Sequence, residues 1–259
     1  MKLFDLFDLT GKVAVVTAGG HGLGREYCLA MAECGADVVC NDIDSELSAE
    51  TVRQVAQFGA RAASVQGDVS KPDDVARMIE TALTHFGRID VLFCNAGITR
   101  PGAAHEMRYE DWAAVVAVNL RGTFLCMKAA IPAMLAQKKG AIISTASIAG
   151  LPGGYAPDTL VYAATKAAII GLTRHAAMAY AKDGIRINAI APGLHDTRPV
   201  GLGIPPEVQE EIKKLILPRI PLGRFGEPGE IRPLAAFLAS DASGFVTGQV
   251  FVQDGGMLA

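Results

Sequence analysis

Short runs of β-branched and other apolar residues alternate along most of this chain with longer segments of helical period. The predicted strands cover residues 13–17, 37–41, 61–66, 89–93, 140–145, 185–190 and 249–252. The clearest helices between them cover residues 22–34, 45–58, 71–86, 110–136 and 161–182. This alternation predicts an α/β fold in which a parallel sheet with right-handed crossovers carries helices on both faces. The 259 residues fit a single domain of this kind.

Composition and charge argue against several classes of partner and location for this chain. The net charge is −3, without a basic stripe or charged tail, so no nucleic acid or anionic membrane is expected as a partner. Residues 1–12 lack the apolar core of a signal peptide, and no apolar run is long enough to predict a membrane span. A cytoplasmic protein is therefore expected, with its five cysteines reduced. The five histidines are scattered, which predicts no metal site.

A glycine-rich turn follows the first predicted strand and precedes the first helix. Glycines at such a junction let the backbone approach a pyrophosphate, whose charge is stabilised by the helix N-terminus. The candidate cofactor-binding residues of this turn are Gly19, Gly20, His21, Gly22, Leu23 and Gly24. The sequence therefore predicts a dinucleotide site at this edge of the sheet.

Asp42 ends the second predicted strand, where a carboxylate can accept a hydrogen bond from a ribose 2′-hydroxyl. A carboxylate repels a 2′-phosphate, and no Lys or Arg lies between residues 26 and 52 to accept one. NAD(H) is therefore expected rather than NADP(H). Asp42 could instead cap the following helix, but Asp44 and Ser45 are better placed for that.

Tyr162 and Lys166 lie four residues apart in an alanine-rich helical segment, which puts both side chains on one face. A nearby ammonium favours phenolate over phenol, so we expect Lys166 to lower the pKa of Tyr162. Such a tyrosine can exchange a proton with an alcohol or a carbonyl. Tyr155 has no equivalent partner, because Thr159 stands where its lysine would be.

Together these features resemble the short-chain dehydrogenase/reductase family, and the resemblance covers essentially the whole chain. Further motifs similar to those of the family are Gly67-Asp68-Val69, Asn95-Ala96-Gly97, Asn119, Ser147, Pro192-Gly193 with Thr197, and the closing segment 251–256. The resemblance implies a doubly wound Rossmann domain with seven parallel strands in the order 3-2-1-4-5-6-7. It also implies a dimer or tetramer, with helix pairs and the closing strand at the interfaces.

The family resemblance also implies roles for these residues. Asn119, Ser147, Tyr162 and Lys166 would be catalytic, with Asn119 joining a proton relay or serving a structural role. Asp68 and Val69 would bind adenine. Asn95, Ala96 and Gly97 would border the cofactor, with Asn95 equally suited to a structural role. Pro192, Gly193 and Thr197 would hold the nicotinamide carboxamide, and Tyr162 and Lys166 would also contact the cofactor.

Two positions depart from the family pattern. Ala18 occupies the first glycine of the glycine motif, and because alanine resists positive φ, Gly19 is expected to take over the turn. Ser147 and Tyr162 are separated more widely than is common in the family. The extra residues fall in the Pro/Gly-rich loop 151–159. This loop would border the substrate, and it can accommodate the extra length.

The proline-rich stretch 193–227 interrupts the alternation of strands and helices and contains one amphipathic piece, Glu207–Leu217. A long segment following a strand of a parallel sheet would lie over the ligand edge, so we expect a substrate lid. His195, Arg198 and Arg100 are expected to be solvated loop residues, although each could reach a substrate anion.

These observations predict reversible NAD-dependent oxidation of a secondary alcohol to a ketone. The resemblance includes enzymes of the gluconate 5-dehydrogenase type, so a polyol, hydroxy acid or sugar acid is the expected substrate. The 3-oxoacyl-carrier-protein reductases are the alternative, although they commonly use NADPH. Two other classes are an NAD(H)-binding sensor without catalysis and an epimerase or dehydratase that retains its NAD.

Overall fold

The computed structural model describes residues 2–154, 158–197, 211 and 214–259. Seven parallel strands form one sheet within these residues, in the order β3-β2-β1-β4-β5-β6-β7. The strands are β1 Val13–Thr17, β2 Asp37–Asp42, β3 Ala62–Gln66, β4 Val91–Cys94, β5 Gly140–Thr145, β6 Ile185–Pro192 and β7 Val250–Gln253. The predicted α/β fold and the implied strand order are confirmed.

Seven α-helices lie within the described residues. They are α1 Gly22–Glu33, α2 Ser45–Ala56, α3 Pro72–Phe86, α4 Tyr109–Val116, α5 Gly122–Gln137, α6 Leu160–Tyr180 and α7 Arg232–Ala239. The helix predicted over 110–136 is divided by a wider π-helical turn, Ala117–Arg121, which joins α4 to α5. The extra residue in such a turn displaces the helix face and often marks a functional position.

Hydrophobic cores cover both faces of the sheet. Strand β1 is buried at all five positions, as expected for a central parallel strand covered by helices on both sides. One core contains α1 and α7, and within it the ring of Tyr27 stacks on Phe93 with centroids 4.6 Å apart. The other core contains α3 and α5. This double covering fixes the ends of the strands, and therefore the residues that follow them.

The stretch Tyr109–Gln137 is long and apolar enough to meet the length and composition of a membrane span, with a mean hydropathy of 1.5. No such stretch was expected from the sequence. Cys126, Ala130 and Met134 of this stretch are nevertheless buried in the core beside α3 and the sheet. Its apolar character therefore serves packing within the fold.

A cavity of about 610 Å³ lies at the amino-terminal edge of the sheet, bordered by the starts of β4, β5 and β6. Paired charges line it, including Lys139 with Asp241 at 2.7 Å. Arg186 also lines this cavity, and its guanidinium donates to the carbonyl oxygens of Leu238 and Ser240, each at 3.0 Å. It also donates to Ser243 Oγ at 2.6 Å. The polar groups at this edge are therefore engaged with one another.

The predicted site lies at the carboxyl-terminal edge of the sheet. Thr17, Asp42, Thr145 and Pro192 each end a strand there. Because parallel strands end at one edge, residues far apart in sequence converge, and ligands of such sheets bind in the crevice outside this edge.

Candidate active site

Tyr162 and Lys166 lie one turn apart near the start of α6, as predicted. The Lys166 Nζ atom lies 5.5 Å from the centroid of the Tyr162 ring. Ser147 follows β5 and begins a short 3₁₀ turn, accepting a hydrogen bond from Ala149 N at 3.2 Å. Its hydroxyl is near enough to the Tyr162 phenol to act on the pKa of that phenol. The structure therefore brings together the three residues predicted to carry proton transfer.

The protonation of this cluster differs from the expectation. Burial raises the pKa of Tyr162 above its ordinary value, and the Ser147 hydroxyl offsets only part of the rise. The predicted lowering by Lys166 is therefore wrong for this arrangement. Lys166 is itself only 3% exposed, and burial lowers the pKa of its ammonium to about 8. A cation that is costly to keep charged stabilises a neighbouring phenolate less strongly.

Lys166 has one hydrogen-bond acceptor within the described residues, because its Nζ donates to the Thr145 carbonyl oxygen at 2.6 Å. Gly97 leaves space beside the ammonium, since a Cβ on Gly97 would stand 3.3 Å from Nζ. An ammonium has three N–H donors, so further donors remain for hydroxyl groups at this edge.

Asn119 lies in the π-helical turn and is completely buried. Its Oδ1 accepts from Ile98 N at 2.8 Å, and its Nδ2 donates to Ile98 O and Thr165 Oγ1 at 3.0 and 3.1 Å. The amide therefore ties the segment after β4 to α6, which gives it the structural role foreseen as an alternative. Both its Oδ1 and Lys166 Nζ lie within 3.5 Å of the Cβ position of Gly97. A part in a proton relay remains a prediction.

The glycine-rich turn contains an unexpected left-handed residue. Ala18 itself has φ +49°, so the expectation that Gly19 would take over the turn is wrong. Gly24 permits the close approach of α1 to β1, since its Cβ would stand 1.9 Å from the Ala18 carbonyl oxygen. An alanine therefore occupies a left-handed position that favours glycine.

Asp42 lies beneath this turn and is 3% exposed. Its Oδ2 accepts from Gly20 N at 2.9 Å, and its Oδ1 accepts from Asp44 N at 3.0 Å. Asp44 caps α2 by accepting from Glu46 N and Leu47 N, as anticipated. Capping does not occupy Asp42, and its two oxygens have lone pairs left for a hydroxyl.

Thr197 meets the glycine-rich turn from the opposite side, its Cβ lying 3.4 Å from where a Cβ on Gly22 would stand. Gly22 itself is left-handed, with φ +53°. The element Pro192-Gly193 is fixed at the sheet edge, because Gly193 N donates to Gln253 O at 2.8 Å. The predicted pyrophosphate and carboxamide elements are therefore adjacent in space.

Comparison with known proteins agrees with this geometry. Residues 17–258 match the sequence model of a family described as enoyl-(acyl carrier protein) reductase. A 3-oxoacyl-[acyl-carrier-protein] reductase of Synechocystis sp. is 42% identical over 253 residues, which cover 96% of this chain and 98% of that protein. The chain belongs to the short-chain dehydrogenase/reductase family.

Solved structures of this family are similar throughout. A short-chain type dehydrogenase/reductase from Mycobacterium marinum has a TM-score of 0.93 and 36% identity, with 100% of each chain covered. A 7α-hydroxysteroid dehydrogenase, solved with NADH and 7-oxo glycochenodeoxycholic acid, has a TM-score of 0.90 and 30% identity. The match covers 99% of this chain and 98% of that one. The likeness includes both the cofactor edge and the segments beyond it.

The residues at this edge fit the nicotinamide dinucleotide that the family implies. His21 supplies a specific observation, because its Nδ1 is buried without a hydrogen-bond partner among the described residues and lies 3.9 Å from Asp42 Oδ2. Polar ligand atoms between these side chains would satisfy the unpaired nitrogen. Gly20 keeps this space open, since a Cβ there would stand 2.7 Å from Asp42 Oδ2.

The remaining predicted cofactor residues have mainly structural contacts. Asp68 Oδ1 accepts from Ser70 N at 2.9 Å, which shapes the turn after β3. Val69 is buried and packs against Gly122, whose Cβ would stand 2.7 Å from Val69 Cγ2. Contacts of Asp68 and Val69 with adenine remain predictions.

Asn95 connects three strand ends. Its Nδ2 donates to the carbonyl oxygens of Thr17 and Ala18, each at 3.2 Å, and its Oδ1 accepts from Thr145 Oγ1 at 3.1 Å. These bonds support the structural alternative for Asn95. Ala96 N donates to Thr17 Oγ1 at 3.1 Å, which holds the Asn95–Gly97 segment against β1.

Sequence reasoning missed two threonines and one arginine that organise the site. Thr17 Oγ1 accepts a hydrogen bond from Asn95 N at 2.9 Å, and the Thr145 carbonyl oxygen accepts one from Lys166 Nζ. Each threonine is the last residue of a buried strand, and a polar residue in that position was the available signal. Arg25 donates from Nε to the Gly20 carbonyl at 3.1 Å, supporting the glycine-rich turn from α1.

The predictions for the loop residues have different outcomes. His195 forms a backbone bridge with Gly226 and is half-buried, so its expected solvated position is wrong. Arg100 is exposed and lies 3.8 Å from Asp111. Arg198, Tyr155 and most of the amphipathic piece Glu207–Leu217 lie outside the described residues.

Proposed function

We propose that this oxidoreductase interconverts a secondary alcohol and a ketone with NAD(H). The observation that carries the proposal is that Ser147, Tyr162 and Lys166 lie close together at the sheet edge that also holds the adjacent Gly22 and Thr197 elements. The first three residues would exchange protons with the substrate. The Gly22 and Thr197 elements would border the bound dinucleotide. The bound cofactor supplies the hydride acceptor or donor.

The chain's own residues supply proton transfer and charge stabilisation. In the reductive direction the Tyr162 phenol, which burial keeps protonated, donates a proton to the substrate oxygen. Ser147 hydrogen-bonds to that oxygen as negative charge develops on it. Lys166 offers its spare donors to ribose hydroxyl groups. In the oxidative direction the phenolate form of Tyr162, whose own proton has passed to solvent, accepts the proton of the alcohol.

NAD(H) is the proposed cofactor because Asp42 occupies the ribose end of the site. The carboxylate is buried and held by Gly20 N and Asp44 N, so it cannot swing away from a 2′-phosphate. The cost of placing a second anion beside it favours NAD(H). Comparing kcat/KM for the two cofactors tests this proposal, and a preference for NADP(H) would contradict it.

For the substrate, the names of the relatives support a 3-oxoacyl reductase more than a sugar-acid dehydrogenase. The Synechocystis protein is named for reduction of a 3-oxoacyl group on a carrier protein. The ketone of the 7α-hydroxysteroid dehydrogenase complex is cyclic and largely apolar. We therefore propose carbonyl reduction on a 3-oxoacyl compound or a related ketone, with the polar polyol or sugar acid as the less supported candidate.

The lid and the assembly complete the proposal. The lid is residues 193–227, and its two stems are joined at the site by the hydrogen bonds of Asp196 N to Gly226 O and of Gly226 N to Leu194 O. Closure over this base would exclude water and align the reacting carbon.

We also propose a cytoplasmic homodimer or homotetramer, with the edge strand β7 exposed at Val252 as one interface.

Absorbance at 340 nm tests the reaction directly. The purified chain is assayed with NADH and NADPH against a 3-oxoacyl thioester, a cyclic ketone, a sugar keto acid and a ketose. The reverse reaction uses the corresponding alcohols with NAD⁺ and NADP⁺. NADH oxidation with the thioester or the cyclic ketone is expected. Tight binding of NADH without turnover on any substrate would favour the sensor, and NAD(H) retained through purification would favour an epimerase or dehydratase.

A further inference from the structure

The carboxyl-terminal turn Asp254–Leu258, here named the latch, begins within the closing segment 251–256 and makes contacts that the sequence did not predict. The Asp254 carboxylate folds it, since Oδ1 accepts from Gly256 N at 2.8 Å and Oδ2 accepts from Leu258 N at 2.9 Å. Gly255 and Gly256 are both left-handed, with φ +66° and +92°. The turn is therefore built by one side chain and two glycines.

The latch binds the second stem of the lid. Leu222 N donates to Gly255 O at 3.1 Å. Pro221 lies against Gly256, because a Cβ on that glycine would stand 3.0 Å from Pro221 Cγ. Ile220 packs similarly against Gly255, with Cγ2 at 2.7 Å from the Cβ position. Side chains at these two glycines would push the lid stem away.

The latch also reaches the loop that follows the catalytic serine. Leu258 Cδ2 lies 3.8 Å from where a Cβ on Gly153 would stand. Gly153 belongs to the described part of the substrate loop, residues 151–154, which continues the 3₁₀ turn begun by Ser147. The latch therefore contacts the lid stem through Gly255 and Gly256 and the substrate loop through Leu258.

Apart from Asp254, whose carboxylate accepts hydrogen bonds within the latch, the side chains of the three segments carry no hydrogen-bond donor and no oxygen acceptor. They are Leu151, Pro152, Gly153 and Gly154 of the loop, Ile220, Pro221 and Leu222 of the stem, and Met257 and Leu258 of the latch. A polyol placed against them would lose hydration without gaining partners for its hydroxyl groups, and each unpaired hydroxyl would weaken binding. An alkyl group would gain free energy by burial.

Resting on the proposed function, we propose that the latch determines substrate specificity, with Leu258 contacting the arm of the substrate that extends from the reacting carbon. That arm is apolar, as in a ketone or 3-oxoacyl compound with an alkyl chain. Asp254 is a positioning residue that acts through the fold of the latch. The sequence-based expectation of a polar polyol is replaced by this substrate class.

The first test varies the substrate arm. A series of 3-oxo esters with alkyl arms lengthened one methylene at a time is reduced with NADH, beside a ketose of equal length. In the wild-type protein kcat/KM is expected to rise about threefold per methylene over the first few carbons. Leu258→Ala should remove most of this increase while leaving KM for NADH unchanged. Leu83→Ala, on the outer side of α3, is the matched control and should behave as wild type.

The second test needs no turnover. Trypsin cleavage after Lys214 and Arg219, identified by mass spectrometry, reports on attachment of the lid stem. Asp254→Ala should accelerate this cleavage severalfold, with Asp254→Asn intermediate, because the amide keeps one acceptor oxygen. Circular dichroism checks that each variant is folded.

The two tests separate the possible failures. If no ketone or alcohol turns over but Asp254→Ala accelerates cleavage, the proposed function fails and the latch still anchors the lid. If kcat/KM does not rise along the methylene series in the wild-type protein, or if Leu258→Ala leaves that rise unchanged, the specificity proposal is overturned. Cleavage that is unaffected by Asp254→Ala overturns the anchoring role.

Discussion

Lys166 and Arg186 are cations held at opposite edges of the same sheet, and their surroundings differ. Arg186, at the amino-terminal edge, is only partly buried yet donates to two carbonyl oxygens and a serine hydroxyl. Lys166, at the carboxyl-terminal edge, is almost completely buried and donates to one carbonyl oxygen. Within the described residues the more costly cation thus has fewer partners, which is the pattern expected where a position serves binding or catalysis rather than stability.

The largest expected effect tests whether the carboxyl-terminal edge is catalytic. Tyr162→Phe removes the proton donor and should lower kcat by about 10³-fold or more, while the Kd for NADH stays close to wild type. Stopped assays at high enzyme concentration measure the residual rate, and NADH fluorescence measures binding. Tyr180→Phe, at the other end of α6, should leave kcat unchanged. Full activity of Tyr162→Phe would remove the proposed mechanism.

The two cations should respond oppositely to replacement. Arg186→Met removes three hydrogen bonds that the charged guanidinium donates, so the free energy of unfolding should fall by about 2–4 kcal/mol. Lys166→Met loses one hydrogen bond but removes a buried charge, so stability at pH 7 should change little or rise. Urea unfolding of both variants measures the difference. A larger loss for Lys166→Met would invalidate the comparison.

The pH dependence of stability sharpens this contrast. Burial lowers the pKa of Lys166 from its ordinary value of 10.5 to about 8, so between these values the unfolded state binds more protons than the folded state. Wild-type stability relative to Lys166→Met should therefore rise by about 3 kcal/mol as pH increases through this window. Below pH 8 the difference should be constant. Urea midpoints at pH 7, 8, 9 and 10 provide the measurement, and parallel curves would contradict the buried ammonium.

The smallest expected effect concerns backbone strain at the carboxyl-terminal edge. Ala18 is left-handed, so Ala18→Gly should stabilise the protein by about 1 kcal/mol. Ala76→Gly, at an exposed position inside α3, should destabilise it by about 1 kcal/mol. Thermal unfolding compares the two. If Ala18→Gly is the less stable protein, alanine is accommodated there without strain.

The sequence was sufficient for the fold and for the residues that meet at the strand ends. Alternating periodicity identified all seven strands, and the four-residue spacing placed Tyr162 and Lys166 correctly. The pKa of Tyr162 was not predictable, because desolvation depends on residues packed around the phenol. The φ angle of Ala18 was also missed, since close packing of Gly24 on its carbonyl restricts where the chain can turn.

The substrate side was less predictable for a physical reason. Its surfaces come from three segments far apart in sequence, and each is a loop without periodicity. Leu258 has no motif around it, and only the folded chain brings it beside Gly153. Spacing rules apply to residues on one helix or one strand, whereas contacts between loops depend on the complete fold.

The latch has a practical consequence for handling the protein. Ala259 directly follows Leu258 and is exposed, so any peptide fused to the carboxyl terminus would emerge beside the lid stem and the substrate loop. Residues fused after Ala259 are therefore expected to lower the measured rate by crowding this region, independently of the chemistry of the site. The amino terminus is the safer point of attachment, because the short helical segment Leu3–Phe7 contains no buried residue.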